Sequence, residues 1–217
     1  CDHITCGNNY LADFAKKFNS NVSIIHSTVD TDLYKPIKTK NNQDAVRIGW
    51  VGSHTTIKHF ELITDVFLEL KKKYKKKVKF VVIGDENYRN DKLKLKGKKW
   101  QNKKEVALFN SFDIGVMPLP NDEWTKGKCG MKGLLYMSVG IPAVMSNIGM
   151  NKEIINHGEN GFLPVGHQQW VDVLSNLIEN DKLRKEIGQN GRKTVIDRYS
   201  KKKVKKTYYD LYTSLMK

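Results

Sequence analysis

The sequence predicts an α/β fold: a Rossmann-like, doubly wound parallel sheet with helices on both faces. Three observations point to it. Short β-prone runs alternate with longer segments of helical spacing along the whole chain. One run, VKFVVIG at 78–84, is almost continuously apolar, as a parallel strand covered on both sides must be. No internal repeat or low-complexity linker interrupts the alternation.

In order, HITC (3–6) reads as a short strand, and NNYLADFAKKF (8–18) sets Tyr10, Leu11, Phe14 and Phe18 at helical spacing. VSIIH (22–26) is a strand, and the polar TDLYKPIKTKNNQD (31–44), with Pro36, is a connection. VRIGWV (46–51) is a strand, and residues 57–73 form an amphipathic helix with Phe60, Ile63, Phe67 and Leu70 on its apolar side. Beyond VKFVVIG, LKLKG (93–97) is a further strand, NKKEVALFNSF (102–112) a helix and DIGVMPL (113–119) a strand. Residues 128–139 form a helix, IPAVMS (141–146) a strand, and GFLPV (161–165) a short strand after the turn HGENG. Three helices close the chain, near 167–179, 181–197 and 200–216.

The 217 residues, 39% hydrophobic, suffice for one domain with a real core. Thirty-eight Lys and Arg against 23 Asp and Glu leave a net charge of +15, which suits an anionic partner: nucleic acid, a membrane surface or a phosphorylated small molecule. The runs KKKYKKKVK (71–79) and KKKVKK (201–206) equally suit solvated helix faces. No nucleic-acid-binding signature accompanies the charge, so nucleic acid is not the expected partner. Cys1, Cys6 and Cys129 form no CxxC, and the histidines no HxxxH, which argues against a disulfide framework or structural zinc and suits a reducing cytosol. No metal is expected. No apolar run approaches the ~20 residues of a membrane span. With Cys1 in place of a starting methionine, the chain is expected to be part of something longer.

In such sheets ligands bind beyond the carboxyl ends of the strands, so the loops following strands carry the candidates. GSHTTIK (52–58) joins a strand to a helix. Gly52 permits close backbone approach, Ser53, Thr55 and Thr56 offer hydroxyls, and Lys58 falls in the first helical turn. An ordinary capped turn accounts for the same residues. KGKCGMKGLLYMSVG (126–140) crowds Lys126, Lys128 and Lys132 at a helix start, the end where the macrodipole disfavours cations. Lys128 and Lys132 lie one turn apart on one face. An anion at that end explains them; two lysines reaching to solvent beside an apolar stripe explain them as well. Asp85, Glu86, Asp122 and Glu123 show no spacing that singles out an acid and a base, and read as loop charge or caps.

VSIIHSTVDTDLYKP, IGWVGSHTTIKHFELI, VKFVVIGD, FNSFDIGVMPL and GLLYMSVGIPAVMSNIGMNKEIINHGENGFL resemble, in order, segments of the donor-binding half of GT-B glycosyltransferases of the retaining, family 4-like group. The resemblance runs from about residue 22 to the C-terminus. It implies a nucleotide-diphospho-sugar donor, a UDP- or GDP-sugar, as substrate with no further cofactor. It divides the chain into 1–21, the last elements of an N-terminal acceptor domain; 22–198, the nucleotide-sugar domain; and 199–217, a helix crossing back. It places the donor diphosphate on Gly52, Ser53, Lys58, Lys128, Cys129, Gly130 and Lys132, with Lys58 and Lys128 as catalytic cations. Base and ribose fall to Gly84, Asp85, Trp100 and Leu135. The family's E-x7-E pair falls near Gly127 and on Leu135, so neither glutamate is present. GKCGMKGLLYM, with Trp124 before it, is instead similar to a branch carrying W-x-x-G-K-x-x-x-K-x-L-x-Y-M. The remaining expectations are metal-independent hexosyl transfer in bacterial polysaccharide or glycolipid synthesis and a cytoplasmic location. The terminal lysines would allow peripheral contact with anionic lipid at the inner membrane. This piece alone is expected to bind nucleotide and transfer little sugar. The rival readings are a non-catalytic scaffold of the same fold and a basic nucleic-acid-binding domain.

Overall fold

The structure, a computed structural model, describes residues 1–37 and 45–216. The connection expected over 31–44 therefore lies partly outside the described residues. At the N-terminus β1 (Ile4–Cys6), α1 (Asn9–Ala15) and β2 (Val22–Ile24) form a small unit in which β1 and β2 pair in parallel over their own core of Cys6, Ala12 and Ala15.

The main sheet holds four parallel strands: β3 (Val46–Val51), β4 (Val78–Ile83), β7 (Ile114–Met117) and β8 (Ala143–Met145), in the order β4-β3-β7-β8. Single parallel bridges extend it at both edges, Lys98 beside Ile83 and Phe162 beside Val144. Counting these, the chain visits the sheet in the 3-2-1-4-5-6 order of a doubly wound fold, and its direction reverses between β3 and β7. The helices are α2 (Ile57–Glu61), α3 (Thr64–Tyr74), α4 (Glu105–Phe109), α5 (Glu123–Lys126), α6 (Met131–Ser138), α7 (Asn151–Ile154), α8 (Gly166–Glu179), α9 (Asp181–Thr194) and α10 (Lys201–Leu215).

Alternation along the strands divides the core. Ile48, Trp50, Val82, Ile114 and Val116 face Phe60, Phe67 and Leu70 beneath α2, α3 and α8. Val51, Ile83 and Met117 face Phe109, Leu134, Tyr136 and Met137 on the other side. Gly49 and Gly115 are cross-strand partners, and a side chain on either would run into Phe112 or Tyr136 respectively. Their absent side chains admit the two rings, 6.2 Å apart. Tyr136 then accepts from the Val51 amide at 3.2 Å and donates to the Val116 carbonyl at 3.4 Å, tying the ends of β3 and β7 together.

Several elements differ from expectation. LKLKG does not join the main sheet: β6 (Leu95–Lys96) pairs antiparallel with β5 (Arg89–Asn90) in a hairpin, and only Lys98 reaches β4. The helix expected over 57–73 breaks at Leu62 and Ile63, whose amides reach back three residues to His59 and Phe60. GFLPV contributes bridges and no strand. The helix expected over 128–139 starts at Met131, because Gly130 is left-handed at φ 66°. Lys128 instead closes the turn after α5, its amide donating to Thr125 at 3.2 Å. Lys128 and Lys132 therefore do not share one helix face.

Candidate functional site

The loops leaving β3 and β7 flank the reversal point, the place where doubly wound sheets receive ligands. The first is packed backbone against backbone. Gly52 donates to the Ile83 carbonyl at 2.9 Å, and Gly84, at φ 119°, lies so close that a side chain there would meet the Gly52 carbonyl oxygen. Ser53, Thr55 and Thr56 bond among themselves, Ser53 Oγ to Thr55 Oγ1 at 2.8 Å and Thr56 Oγ1 to the Ser53 carbonyl at 3.1 Å. No side chain caps either the single 3₁₀ turn at His54–Thr56 or α2.

Lysines from the two loops converge on His59. This residue is 5% exposed, and its imidazole is held below the usual range by burial first and then by the charges of Lys128, Lys132 and Lys58. Lys132 is itself pushed down, by burial and then by Lys128. Among the described residues none of these three lysines is ion-paired. Aromatic faces give partial compensation: Lys128 Nζ lies 5.2 Å from the Trp124 ring centre and Lys132 Nζ 5.8 Å from that of Trp50. Trp124 is otherwise 74% exposed. Lys126, from the same stretch, is spent on Glu123 at 2.7 Å.

Asp122, the acid that feels Lys58 and His59, is committed to structure. It caps α5, accepting from the Thr125 amide at 2.7 Å, and that bond is the chief reason its carboxyl lies below the usual range. Thr125 returns the bond to the Asp122 amide, completing a reciprocal cap. Asp85 accepts from the Asn87 amide at 3.0 Å within its own turn. Trp100 is half-buried, edge-on to Phe109 at 6.3 Å, and Leu135 is half-buried on α6 one turn beyond Lys132. Cys129 is turned toward the N-terminal unit: a side chain on Gly7 would come within 2.6 Å of its sulfur. Among the described residues no three His, Cys, Asp or Glu side chains gather to hold a metal ion.

The charges of Lys58, Lys128 and Lys132 thus all bear on His59, one of two residues here that the sequence reading missed. Asn8, 1% exposed, donates to the carbonyls of Lys126 at 3.2 Å and Lys128 at 3.1 Å, so the N-terminal unit holds the lysine loop in place. Its own Oδ1 caps α1 at the Leu11 amide, 2.9 Å away.

His59 makes the stability of the chain pH-dependent. The unfolded imidazole protonates near pH ~6.5, while folded His59 refuses the proton until lower pH. Below that point the unfolded state binds more protons, so stability is full above the unfolded value and falls as the pH drops through it. Urea midpoints should decline between about pH 7.5 and about pH 5.5, and His59→Gln should flatten the decline. An unchanged slope would remove His59 as the cause.

The family model described as glycosyl transferases group 1 matches residues 34–194. The capsular polysaccharide biosynthesis glycosyltransferase CapM of Staphylococcus aureus is 25% identical over 114 residues, 52% of this chain and 29% of that protein. Among solved structures, Anabaena Alr3699/HepE in complex with UDP and glucose superposes with a TM-score of 0.80 at 15% identity, covering 99% of this chain and 63% of that one. The C-terminal domain of the Francisella tularensis group 1 protein LpcC superposes at 0.62 with 24% identity, covering 80% of this chain and 99% of that one. The chain spans between 19% and 48% of the curated relatives it matches. The four-stranded parallel α/β architecture is that of GT-B glycosyltransferases. With a family match across most of its length and the corresponding fold, the chain belongs to the glycosyl transferases group 1 family.

Proposed function

We propose that this chain holds the nucleotide-diphospho-sugar donor of a retaining, metal-independent hexosyltransferase. The observation that carries the reading is the set of lysines whose charges bear on His59 at the reversal point of the sheet, with no ion-pair partner among the described residues. Three cations, one mostly buried, are only partly offset by Asp122, which is committed to capping α5, and a diphosphate supplies the missing negative charge. As the anomeric bond breaks, negative charge develops on the departing nucleoside diphosphate. Lys58 and Lys128 stabilise it, with Lys132, Ser53 and the amides of Cys129 and Gly130 in support, while Gly52, whose amide is already given to Ile83, serves close approach only. The leaving phosphate takes the acceptor proton on the same face, which retains configuration. Base and ribose lie against Gly84, Asp85, Trp100 and Leu135. A leucine offers no acceptor to ribose hydroxyls, so ribose is held differently from relatives with a glutamate there. No cofactor or metal is needed in this scheme.

In this reading the acceptor sits on a separate N-terminal domain and α10 crosses back toward it. This helix buries only Val204, and Tyr208, Tyr209 and Tyr212 are exposed along it. The reading extends to polysaccharide or glycolipid synthesis at the cytoplasmic face of the inner membrane. Support comes from the name of the S. aureus relative and from the UDP and glucose bound by the Anabaena protein. No helix among the described residues is long and apolar enough to cross a membrane.

Calorimetric titration with UDP and GDP tests the reading. One of them should bind saturably at millimolar concentration or below, and Lys128→Ala should weaken it on the order of ten-fold, as loss of one charge-assisted hydrogen bond does. Absence of saturable binding by either nucleotide would overturn the donor assignment. Unchanged affinity in the variant would take Lys128 out of the site.

A further inference from the structure

A second basic cavity, of about 550 Å³, lies along the first half of β4 and reaches Arg47 at the start of β3 and Ser111 before β7. Its volume is that of a small-ligand site, ~300–1,000 Å³. Six cationic side chains line it: Arg47, Lys71, Lys75, Lys79, Lys94 and Lys98. Among the described residues no acidic side chain lines it and none of the six is ion-paired. Two are fixed in place by neutral partners. The Arg47 guanidinium donates to the Ser111 carbonyl at 3.1 Å, and the Lys71 ammonium to the Leu93 and Lys92 carbonyls at 2.5 Å and 3.4 Å. These bonds orient the charges without themselves cancelling them, while the Asp113 carboxylate accepts from the Arg47 backbone amide at 2.7 Å.

The backbone of the cavity is unusual in the same place. Lys75 and Lys94, each at φ 53°, are the two non-glycine residues with left-handed φ among the described residues, and both line this cavity. Glycine would relieve that strain; lysine retains it and keeps a cation at the rim. Strand β4 adds an open edge, because Val78–Val81 has a ladder partner on one side only and Lys98 joins higher up, donating to the Val82 carbonyl at 2.9 Å.

We infer that this cavity is a second anion site, separate from the donor site, that takes a phosphate-bearing group. Lysines on an open strand edge also repel edge-to-edge pairing. That role requires neither a cavity nor strained lysines from two separate turns aimed around it. The chemistry it recognises is a phosphomonoester or phosphodiester, carried by a soluble compound or by an anionic lipid headgroup.

Amide NMR of the chain, titrated with inorganic pyrophosphate, tests it. Saturable shifts should appear at residues 75–81 and 93–98, persist in Lys128→Ala, and weaken on the order of ten-fold in the double variant Lys79→Gln/Lys98→Gln, whose dispersed spectrum verifies its fold. Sedimentation with vesicles of equal parts phosphatidylcholine and phosphatidylglycerol separates the sources. Binding lost several-fold in the double variant, and absent with phosphatidylcholine alone, assigns the headgroup; pyrophosphate shifts without vesicle binding assign a soluble phosphate. No saturable shift at these amides, or equal shifts in the double variant, overturns the site and leaves the lysines as guards of the strand edge. Because the readout is confined to these residues and survives Lys128→Ala, failure of the donor reading would not mimic either result.

Discussion

Replacing Lys132 with methionine should raise the stability of the ligand-free chain and lower its affinity for a nucleoside diphosphate. The side chain is mostly buried, its ammonium faces the Trp50 ring, and both burial and Lys128 disfavour its charge. Methionine keeps the length and the packing and removes the cost of the charge, a gain of about 1 kcal/mol or somewhat more. For a chain of this size that is ~2–4 °C in Tm. The same ammonium, unpaired and poorly solvated, would interact strongly with a diphosphate, so affinity for UDP or GDP should fall by ~10–100-fold. Thermal melts with and without nucleotide give both numbers from one protein. A variant that melts lower, or that binds as tightly as the parent, would show that Lys132 serves the core and not the anion.

The opposed signs also explain how much of this site the sequence disclosed. The lysines of KGKCGMKG stood out because they violate a local preference, and local violations concentrate where function overrides stability. The shared helix face expected of Lys128 and Lys132 does not hold. Gly130 turns left-handed, no side chain caps α6, and Lys128 belongs to the turn after α5. The proximity of the two lysines is tertiary. His59 was illegible for the same reason, since its neighbours Lys128 and Lys132 arrive from some seventy residues away in the chain. The reciprocal cap of Asp122 and Thr125 was a local signal for α5, written with threonine where glutamate or glutamine is the commoner partner. The strands β3, β4 and β7 were plain because β7 is buried at every position and β3 and β4 are buried toward their carboxyl ends, which leaves mostly apolar residues there. LKLKG alternates as a strand does, but its partner Arg89–Asn90 is two polar residues with no periodicity to read, so the hairpin could not be separated from a fifth strand of the main sheet.

Gly84→Ala should be the most destabilising single substitution near the site, at about 3 kcal/mol or more. Two costs combine. At φ 119° the backbone of Gly84 occupies a region that side chains rarely adopt, and a methyl group there would drive into the Gly52 carbonyl. The obstacle is backbone, so no rotamer change relieves it. Relief requires parting β3 from the segment after β4, against the Gly52–Ile83 bond at 2.9 Å and the Gly84–Lys98 bond at 2.8 Å. Gly158→Ala isolates the first cost, because that residue also has positive φ, 82°, but nothing lies within 4 Å of the added carbon. It should lose only about 1 kcal/mol. Urea denaturation of the two variants gives the clash by difference. The displacement would be felt in the GSHTTIK loop that carries Lys58, so whatever Gly84→Ala remains folded should also bind nucleotide more weakly, while Gly158→Ala binds as the parent does. Equal losses in the two variants would mean that the Gly52–Gly84 contact yields easily, and that the loop is not held rigid for an anion.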